Sequence, residues 1–250
     1  MFQNNPMRIL GVIPARYGSS RFPGKPLIDL KGKTMIQRVY EGAKQSTMLT
    51  DLVVATDDER IFAEVLRFGG KACMTAAHHQ TGTDRCAEVI ATLSENYDVV
   101  INIQGDEPLV NPLQLDSLLA AFHDSSVDIA TLASRSIEEA DLINPNRIKL
   151  VVNHQQRALY FSRSAVPNFA NAKGKPLEVY PYLRHIGLYA YRSAVLSEIS
   201  LLIPTELEQV ESLEQLRWLY YGYSIKVIET DIETPNIDVP EDVAKVLEFL

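Results

Sequence analysis

The stretch Arg8–Pro26, RILGVIPARYGSSRFPGKP, joins an apolar run to a loop that is rich in glycine, proline and cations. The run Arg8–Ile13 is short, apolar and ended by a proline, which is typical of a buried strand. A loop that follows the first strand of a doubly wound sheet is a common place for a ligand. Because Arg16, Arg21 and Lys25 place three cations in it, the loop predicts a site for an anionic ligand.

This loop matches none of the common nucleotide-binding motifs. Gly18 and Gly24 enclose five residues where a P-loop has four, and Pro26 stands where a P-loop has a Mg²⁺-binding hydroxyl. The sequence also contains no G-x-G-x-x-G dinucleotide motif. Backbone N–H groups near Gly18 and Ser19 can still cradle a phosphate. The alternative is an ordinary solvated basic loop.

Outward from this stretch, strands and helices alternate as far as about residue 133. Helices of ten or more residues between strands imply right-handed βαβ units and a mostly parallel sheet. The predicted strands are Arg8–Ile13, Asp51–Thr56, Lys71–Thr75, Asp98–Gln104 and Asp128–Ala133, and the predicted helices are Thr34–Ser46, Asp58–Phe68, Thr83–Leu93 and Pro112–His123.

The second part of the chain breaks this rhythm. From about residue 147 the predicted strands have no helix between them, which indicates an antiparallel excursion. Its strands are Ile148–Val152, Ala158–Ser162 and Leu183–Tyr191, followed by a helix at Glu206–Tyr221, a strand at Ser224–Glu229 and a helix at Pro240–Leu250. The sequence therefore predicts a single α/β domain over residues 1–250: a doubly wound, mostly parallel sheet at about 8–133, an antiparallel excursion at about 147–192, and a return to the core at 205–250.

Composition narrows the function classes. There are 24 Lys and Arg residues against 32 Asp and Glu, a formal net charge of −8, which argues against nucleic acid as a partner. No apolar run approaches the roughly 18 residues that cross a bilayer, and none near the start resembles a signal peptide, so no membrane association and a cytoplasmic location are predicted. Two cysteines are too few for a disulfide scaffold or a structural zinc site.

The loop after the first strand resembles the nucleotide-binding loop of the CMP-Kdo synthetases (3-deoxy-manno-octulosonate cytidylyltransferases) and, more loosely, that of the CMP-sialic acid synthetases. The resemblance extends over nearly the whole chain, and the matching segments occur in the family's order and spacing. They are Ala55–Asp58, His79–Arg85, Asn102–Pro108, Ala158–Arg163, Arg184–Tyr191, Glu211–Arg217 and Ile237–Asp242.

The resemblance implies an enzyme of the nucleotide-diphospho-sugar transferase fold, a homodimer that uses its antiparallel excursion as interface. It would use CTP and Mg²⁺ to activate 3-deoxy-manno-octulosonate (Kdo), or its 8-amino analogue, for lipopolysaccharide synthesis, releasing pyrophosphate. Two alternatives remain: another CMP-acid-sugar synthetase of the sialic acid type, and a non-catalytic CTP-binding protein. A metal-dependent glycosyltransferase of related fold is disfavoured, because the sequence contains no Asp-x-Asp.

The same resemblance assigns roles to residues. Asp106 and Asp238 would hold the Mg²⁺, and Arg16 and Lys25 would clamp the triphosphate, which makes these four the predicted catalytic residues. The predicted nucleotide contacts are Ala15, Arg16, Ser19, Lys25, Thr81, Gly82, Arg85 and Gln104, and the predicted sugar contacts are Arg21, Gln104, Arg163, His185, Tyr189, Glu214 and Gln215.

Each assignment has a plainer structural alternative. Asp238 could cap the last helix, since aspartate favours helix starts. The Thr81–Arg85 segment could be only a capped helix start, and Asp84 receives no role. Glu214 and Gln215 could lie on a solvated helix face, and His185 could be merely packed and hydrogen-bonded.

Overall fold

The structure is a computed structural model that describes residues 6–18 and 21–250. Its strands are β1 (Ile9–Ala15), β2 (Asp29–Leu30), β3 (Lys33–Thr34), β4 (Asp51–Thr56), β5 (Ala72–Met74), β6 (Val99–Asn102), β7 (Ile129–Ser134), β8 (Lys149–Val152), β9 (Ala158–Ser162), β10 (Leu183–Arg192) and β11 (Ile225–Glu229). Its α-helices are α1 (Met35–Ala43), α2 (Glu59–Arg67), α3 (Gly82–Thr92), α4 (Pro112–Ala120), α5 (Glu139–Ile143), α6 (Pro176–Val179), α7 (Ser193–Ile199), α8 (Glu206–Glu211), α9 (Gln215–Tyr220) and α10 (Asp242–Leu247), with short 3-10 helices at Lys25–Leu27 and Ala121–His123.

The chain divides into two compact units. The first comprises the described residues of 1–119 with 190–200 and 234–250, and the second comprises 120–189 and 201–233. The predicted single domain stays a prediction. Among the described residues, no helix combines the length and the apolar character that crossing a bilayer requires.

The first unit is built on parallel strands in the order β5–β4–β1–β6. Strands β4, β1 and β6 are apolar and largely buried, as is typical of a parallel sheet whose two faces are covered by helices. Val12 in β1, Val54 in β4 and Ile101 in β6 are all 0% exposed. Because β4, β1 and β6 run parallel, their carboxyl ends lie side by side. The loops that follow β1 and β6 begin at this edge of the sheet.

The second unit combines parallel and antiparallel pairing. Strands β7 and β11 run parallel, whereas β8 pairs antiparallel with both β9 and β10. The predicted fold class, a mostly parallel α/β sheet with an antiparallel excursion in the second half, is thus confirmed. The excursion begins and ends within two residues of the predicted bounds.

One predicted helix is wrong in the structure. Glu206–Tyr221 is interrupted, because Ser212 adopts a left-handed conformation (φ 51°) that ends α8, and α9 begins only at Gln215. The carbonyl groups freed at this break accept hydrogen bonds from the guanidinium of Arg163, 2.6 Å to Glu211 O and 3.2 Å to Ser212 O. Helical periodicity alone does not reveal a break that a distant side chain stabilises.

Candidate active site

The loop after β1 is closed on itself around Tyr17. The backbone N–H of Gly24 donates to Tyr17 O at 2.9 Å, and Gly24 has a φ of 73° that favours glycine. A Cβ at Gly24 would lie 3.0 Å from the Tyr17 ring. On that ring the guanidinium of Arg60 packs at 3.3 Å from the centroid. Ser19, a predicted nucleotide contact, lies outside the described residues.

Asp106 and Asp238 are brought together by backbone pairing. The N–H of Ile237 donates to Asp106 O at 2.9 Å, which aligns the loop after β6 with the segment before α10. Between the two carboxylates lies the ammonium of Lys25: Nζ donates to Asp106 Oδ2 at 2.7 Å and to Ile237 O at 3.0 Å, and it is 3.9 Å from Asp238 Oδ1. Residues 132 positions apart along the sequence (238 − 106) thus converge on one cation.

Asp238 does not cap the last helix. Its Oδ1 accepts a hydrogen bond from Arg21 Nη2 at 3.0 Å, and its Oδ2 accepts one from Asn236 Nδ2 at 3.1 Å. The carboxylate of Asp242, the first residue of α10, instead holds the segment before the helix: its Oδ2 accepts from the N–H groups of Asp238 (3.0 Å) and Val239 (3.1 Å). The side chain of Asp238 is therefore available for the cation site.

The four predicted catalytic residues differ in their environment. The side chain of Lys25 is only 15% exposed and that of Asp106 only 26%, whereas the Asp238 side chain is 37% exposed. Arg16 is exposed and has no hydrogen bond or ion pair with any described residue. Within the part of the loop that the structure describes, its guanidinium is thus the cation that no protein group engages.

Sequence reasoning missed Glu107, which follows Asp106 directly. Its Oε2 accepts a hydrogen bond from Thr234 Oγ1 at 2.9 Å. Burial, with a smaller contribution from the charge of Asp106, raises the pKa of Glu107 to about 7. The sequence could have indicated this residue, because the motif Gln104–Pro108 contains a second carboxylate directly after Asp106. Gln104 opens this loop and is half-buried.

Gly105 allows the loop after β6 to lie against the end of β1. A Cβ at this position would be 2.6 Å from the backbone oxygen of Pro14, a distance that real Cβ atoms do not tolerate. Ala15, the next residue of β1, is 4% exposed. The strand end and the carboxylate loop are therefore in backbone contact, and only glycine fits.

We expect Gly105→Ala to lower both stability and activity, because the added methyl must push apart two backbone segments. Overpacking of this kind costs about 1–3 kcal/mol of unfolding free energy. Urea unfolding and kcat/KM measure the two effects. Gly187→Ala is the matched control for stability, since a Cβ there meets nothing within 4 Å. Equal unfolding free energies for the two variants would contradict the prediction.

The segment before α3 caps this helix and contains the predicted nucleotide contacts Thr81 and Gly82. Thr81 and Asp84 form a reciprocal capping box: Thr81 Oγ1 accepts from Asp84 N at 3.1 Å, and Asp84 Oδ2 accepts from Thr81 N at 3.2 Å. Gly82 lies against the buried Asn102, with a built Cβ 2.9 Å from Asn102 Nδ2. This gives Asp84 a structural role and leaves the predicted nucleotide contacts of Thr81 and Gly82 as predictions.

Arg85 is placed inside the fold. It is 4% exposed, its Nη1 donates to Thr75 Oγ1, and its Nη2 is 3.3 Å from Asp57 Oδ1. These contacts tie the loops after β4 and β5 to α3. The structure therefore gives Arg85 a supporting role, and its predicted contact with the nucleotide stays a prediction.

In the second unit, His185 is packed in an aromatic cluster. Its ring meets Phe161 edge-on at 5.1 Å and Tyr189 at 5.3 Å, and its Nε2 is 3.0 Å from Thr131 Oγ1. Burial, aided by the charge of Arg184, lowers the pKa of His185 to about 3. The imidazole is therefore neutral at ordinary pH, which suits a hydrogen-bonding role.

Two further predicted sugar contacts, Tyr189 and Gln215, are buried. Tyr189 belongs to the aromatic cluster of His185, and Gln215 is the first residue of α9. The Tyr189 ring packs edge-on against Trp218 at 5.1 Å, and burial raises its pKa well above the usual range. Gln215 is 5% exposed, so the solvated-face alternative is wrong for it; Glu214 is half-buried. Gln215 Nε2 is buried and has no hydrogen-bond partner among the described residues. Unpaired buried donors are rare in folded proteins, so the Gln215 amide remains a candidate for a ligand contact.

Arg163, a predicted sugar contact, is engaged by the protein itself. Besides the bonds to Glu211 O and Ser212 O, its Nη1 donates to Pro145 O at 2.8 Å. Its backbone N–H donates to Glu211 Oε2 at 2.9 Å. The guanidinium thus holds the break between α8 and α9 in place.

We expect Arg163→Ala to lower the free energy of unfolding by about 2 kcal/mol, since charged hydrogen bonds to three carbonyl oxygens are lost, one of them partly buried. Arg163→Lys should recover part of this loss, because an ammonium can reach fewer of the three carbonyl oxygens. Urea unfolding measures the change. A variant as stable as the parent protein would show that the guanidinium does not hold this break.

Comparison with known proteins gives a consistent set of matches. A family model described as cytidylyltransferase matches residues 10–229. The 3-deoxy-manno-octulosonate cytidylyltransferase of Parabacteroides distasonis is 51% identical over 98% of this chain and 98% of its own length. The enzyme of the same name from Bacteroides thetaiotaomicron is 52% identical, again over 98% of each chain.

Two solved structures are also similar to this chain. The structure of a CMP:2-keto-3-deoxy-manno-octonic acid synthetase complexed with CTP matches with a TM-score of 0.90 and 45% identity, covering 97% of this chain and 98% of that chain. A 4-diphosphocytidyl-2C-methyl-D-erythritol synthase from Anaerococcus prevotii matches with a TM-score of 0.65 at 12% identity, covering 98% and 99% of the two chains. The second match shows the fold alone.

Proposed function

The chain belongs to the family of 3-deoxy-manno-octulosonate cytidylyltransferases, and we propose that it transfers the cytidylyl group of CTP to the anomeric hydroxyl of 3-deoxy-manno-octulosonate, releasing pyrophosphate. The observation that carries this proposal is the convergence of Asp106 and Asp238 on one cation at the end of the parallel strands. A nucleotidyl transfer needs charge neutralisation and alignment more than covalent help from the protein.

The two carboxylates fit a magnesium ion. Their oxygens already share a cation, the Lys25 ammonium, at 2.7 and 3.9 Å. Mg²⁺ prefers one or two carboxylates together with phosphate oxygens and water. Asp106 and Asp238 would hold it. When bound, the ion would neutralise charge on the phosphates and lower the pKa of the attacking hydroxyl.

The cations of the loop after β1 would bind the triphosphate. Arg16 is exposed and without a partner among the described residues, so it can form a bidentate contact with phosphate oxygens. Lys25 and Arg21 are paired with carboxylates in the ligand-free protein and can exchange these for phosphate oxygens. Cations at the leaving pyrophosphate stabilise the charge that develops as it departs.

The second unit carries groups suited to an acidic, hydroxyl-rich sugar. Gln215 offers a buried donor without a partner among the described residues, and His185 offers a neutral imidazole. Tyr189 adds a phenol kept protonated by its burial. A buried donor such as the Gln215 amide disfavours ligands that lack the complementary acceptor, which supports selection of one sugar class.

Pyrophosphate release tests this function. We expect release with CTP, Mg²⁺ and 3-deoxy-manno-octulosonate, and much less with ATP in place of CTP. Parallel reactions with the 8-amino analogue and with sialic acid define the sugar. Equal turnover with ATP would overturn the cytidylyl assignment, and faster turnover with sialic acid would favour the sialic acid type. Binding of CTP without release under any of these conditions would identify a non-catalytic CTP-binding protein. The homodimer and the cytoplasmic location stay predictions.

A further inference from the structure

The hydroxyl of Thr131, in the middle of β7, makes an unusually complete set of contacts in the second unit. Thr131 is 0% exposed. Its Oγ1 lies 2.9 Å from Leu188 O, 3.3 Å from Ile186 O and 3.0 Å from His185 Nε2. A fully buried hydroxyl is costly unless it is hydrogen-bonded, so these contacts define its orientation.

The direction of these bonds depends on which acceptor takes the hydroxyl proton of Thr131. A threonine hydroxyl has one proton and two acceptor lone pairs. The carbonyl oxygens of Ile186 and Leu188 can only accept, so they compete for that single proton, with Leu188 O the nearer. With that proton given to Leu188 O, the nearest acceptor, Oγ1 is left to accept from His185, and Nε2 would be the ring nitrogen that bears hydrogen.

The remaining nitrogen of His185 is then an acceptor. A neutral imidazole carries one hydrogen, and burial keeps this ring neutral by lowering its pKa to about 3. With the hydrogen on Nε2, Nδ1 presents a lone pair. Among residues 6–18 and 21–250, no hydrogen bond to Nδ1 is formed.

We propose that Thr131 is a positioning residue that fixes His185 as its Nε2–H tautomer, so that Nδ1 accepts a hydrogen bond from a hydroxyl group of the sugar. The identity of that ligand rests on the proposed function. A lone pair attracts a hydroxyl and repels a carboxylate. His185 would therefore accept a hydrogen bond from a hydroxyl of the acidic sugar, and cationic or amide groups would bind the sugar's carboxylate.

The tautomer can be measured in the ligand-free protein. Long-range ¹H–¹⁵N correlation spectra of ¹⁵N-labelled protein distinguish the two neutral tautomers, and His185→Asn assigns the signal. We expect the Nε2–H pattern at neutral pH in the parent protein and in Thr131→Ser, which keeps the hydroxyl. In Thr131→Val, which keeps the shape and loses the hydroxyl, we expect a mixture of tautomers.

Kinetics give the second readout. We expect Thr131→Val to raise the KM for the sugar about tenfold with the KM for CTP unchanged, the size of one net hydrogen bond, and Thr131→Ser to stay close to the parent protein. The matched control is Ser134→Ala, which removes another fully buried hydroxyl of β7, bonded to Glu233 at 3.3 Å. It should leave the His185 tautomer unchanged.

Several results would overturn the inference. An Nδ1–H pattern in the parent protein would do so, as would equal sugar KM values for the valine and serine variants. If Thr131→Val does not fold, Thr131→Ala replaces it in both measurements with the same expectations. Parent protein that releases no pyrophosphate with any acidic sugar would overturn the proposed function and the sugar contact, whereas an Nδ1–H signal in an active enzyme would overturn the tautomer assignment alone.

Discussion

Replacing Asp106 by asparagine is expected to lower kcat about 10²- to 10³-fold, the scale for losing one preorganised electrostatic group. The amide has the same shape as the carboxylate, so the fold should persist. It cannot supply the negative charge that now holds the Lys25 ammonium at 2.7 Å and that would hold Mg²⁺. Steady-state pyrophosphate release measures the loss, and calorimetric titration with Mg²⁺ in the presence of CTP measures the weakened metal binding.

Asp238→Asn should behave alike, and the double variant should fall far short of the product of the two effects, because both carboxylates serve one ion. Asp124→Asn is the control: this aspartate lies in an exposed turn, where its Oδ1 accepts from Ser126 N at 2.8 Å. Undiminished activity of Asp106→Asn, or of the parent protein in excess EDTA, would rule out the two-carboxylate metal site.

Lys25→Met should lower kcat/KM for CTP by about 10²- to 10³-fold, because a positive charge that would face the triphosphate is removed. The same change should strengthen Mg²⁺ binding to the nucleotide-free protein. The ammonium now occupies the position between Asp106 and Asp238, and a neutral side chain of similar length no longer competes there. Calorimetric titration with Mg²⁺ alone measures this second effect without any turnover.

Arg21→Met provides the contrast, since it removes another cation from the same site. Its side chain is 64% exposed, and an exposed ion pair such as that with Asp238 contributes little. We expect less than about a tenfold change in kcat/KM. Similar losses for the two variants, or unchanged Mg²⁺ binding in Lys25→Met, would show that the buried lysine does not control the carboxylate pair.

The elements predicted most closely are those whose pattern is purely local. The strands Asp51–Thr56 and Ala158–Ser162 were predicted to the residue, because an apolar run between polar residues fixes both ends. The short helices α5, α6 and α7 were not predicted, since their four to seven residues hardly show a helical period. The break at Ser212 was not predicted either, because it depends on Arg163, which is 49 positions away along the sequence.

The candidate site shows the same division. Motifs of the sequence supplied the identities of Arg16, Lys25, Asp106 and Asp238, and their resemblance to a family supplied their roles. Only the folded chain reveals that the Lys25 ammonium lies between the two carboxylates and that the Asp238 carboxylate bonds Arg21 instead of capping the last helix. Glu107 and Thr131 went unrecognised because burial and hydrogen-bond partners, not residue type, make them notable.

The sequence by itself determined the class of fold, the family and the chemistry of the loop after β1, because strand and helix periods and charged motifs are written in consecutive residues. Tertiary structure decided which charges meet: parallel strands bring their carboxyl ends to one edge, and the backbone bond from Ile237 to Asp106 aligns segments more than a hundred residues apart. Tertiary structure also shifted the pKa values of two side chains, since burial is a property of the packed molecule and not of the sequence. The pKa values of Glu107 and His185 are shifted in opposite directions by the same desolvation, which disfavours the charged form of each group.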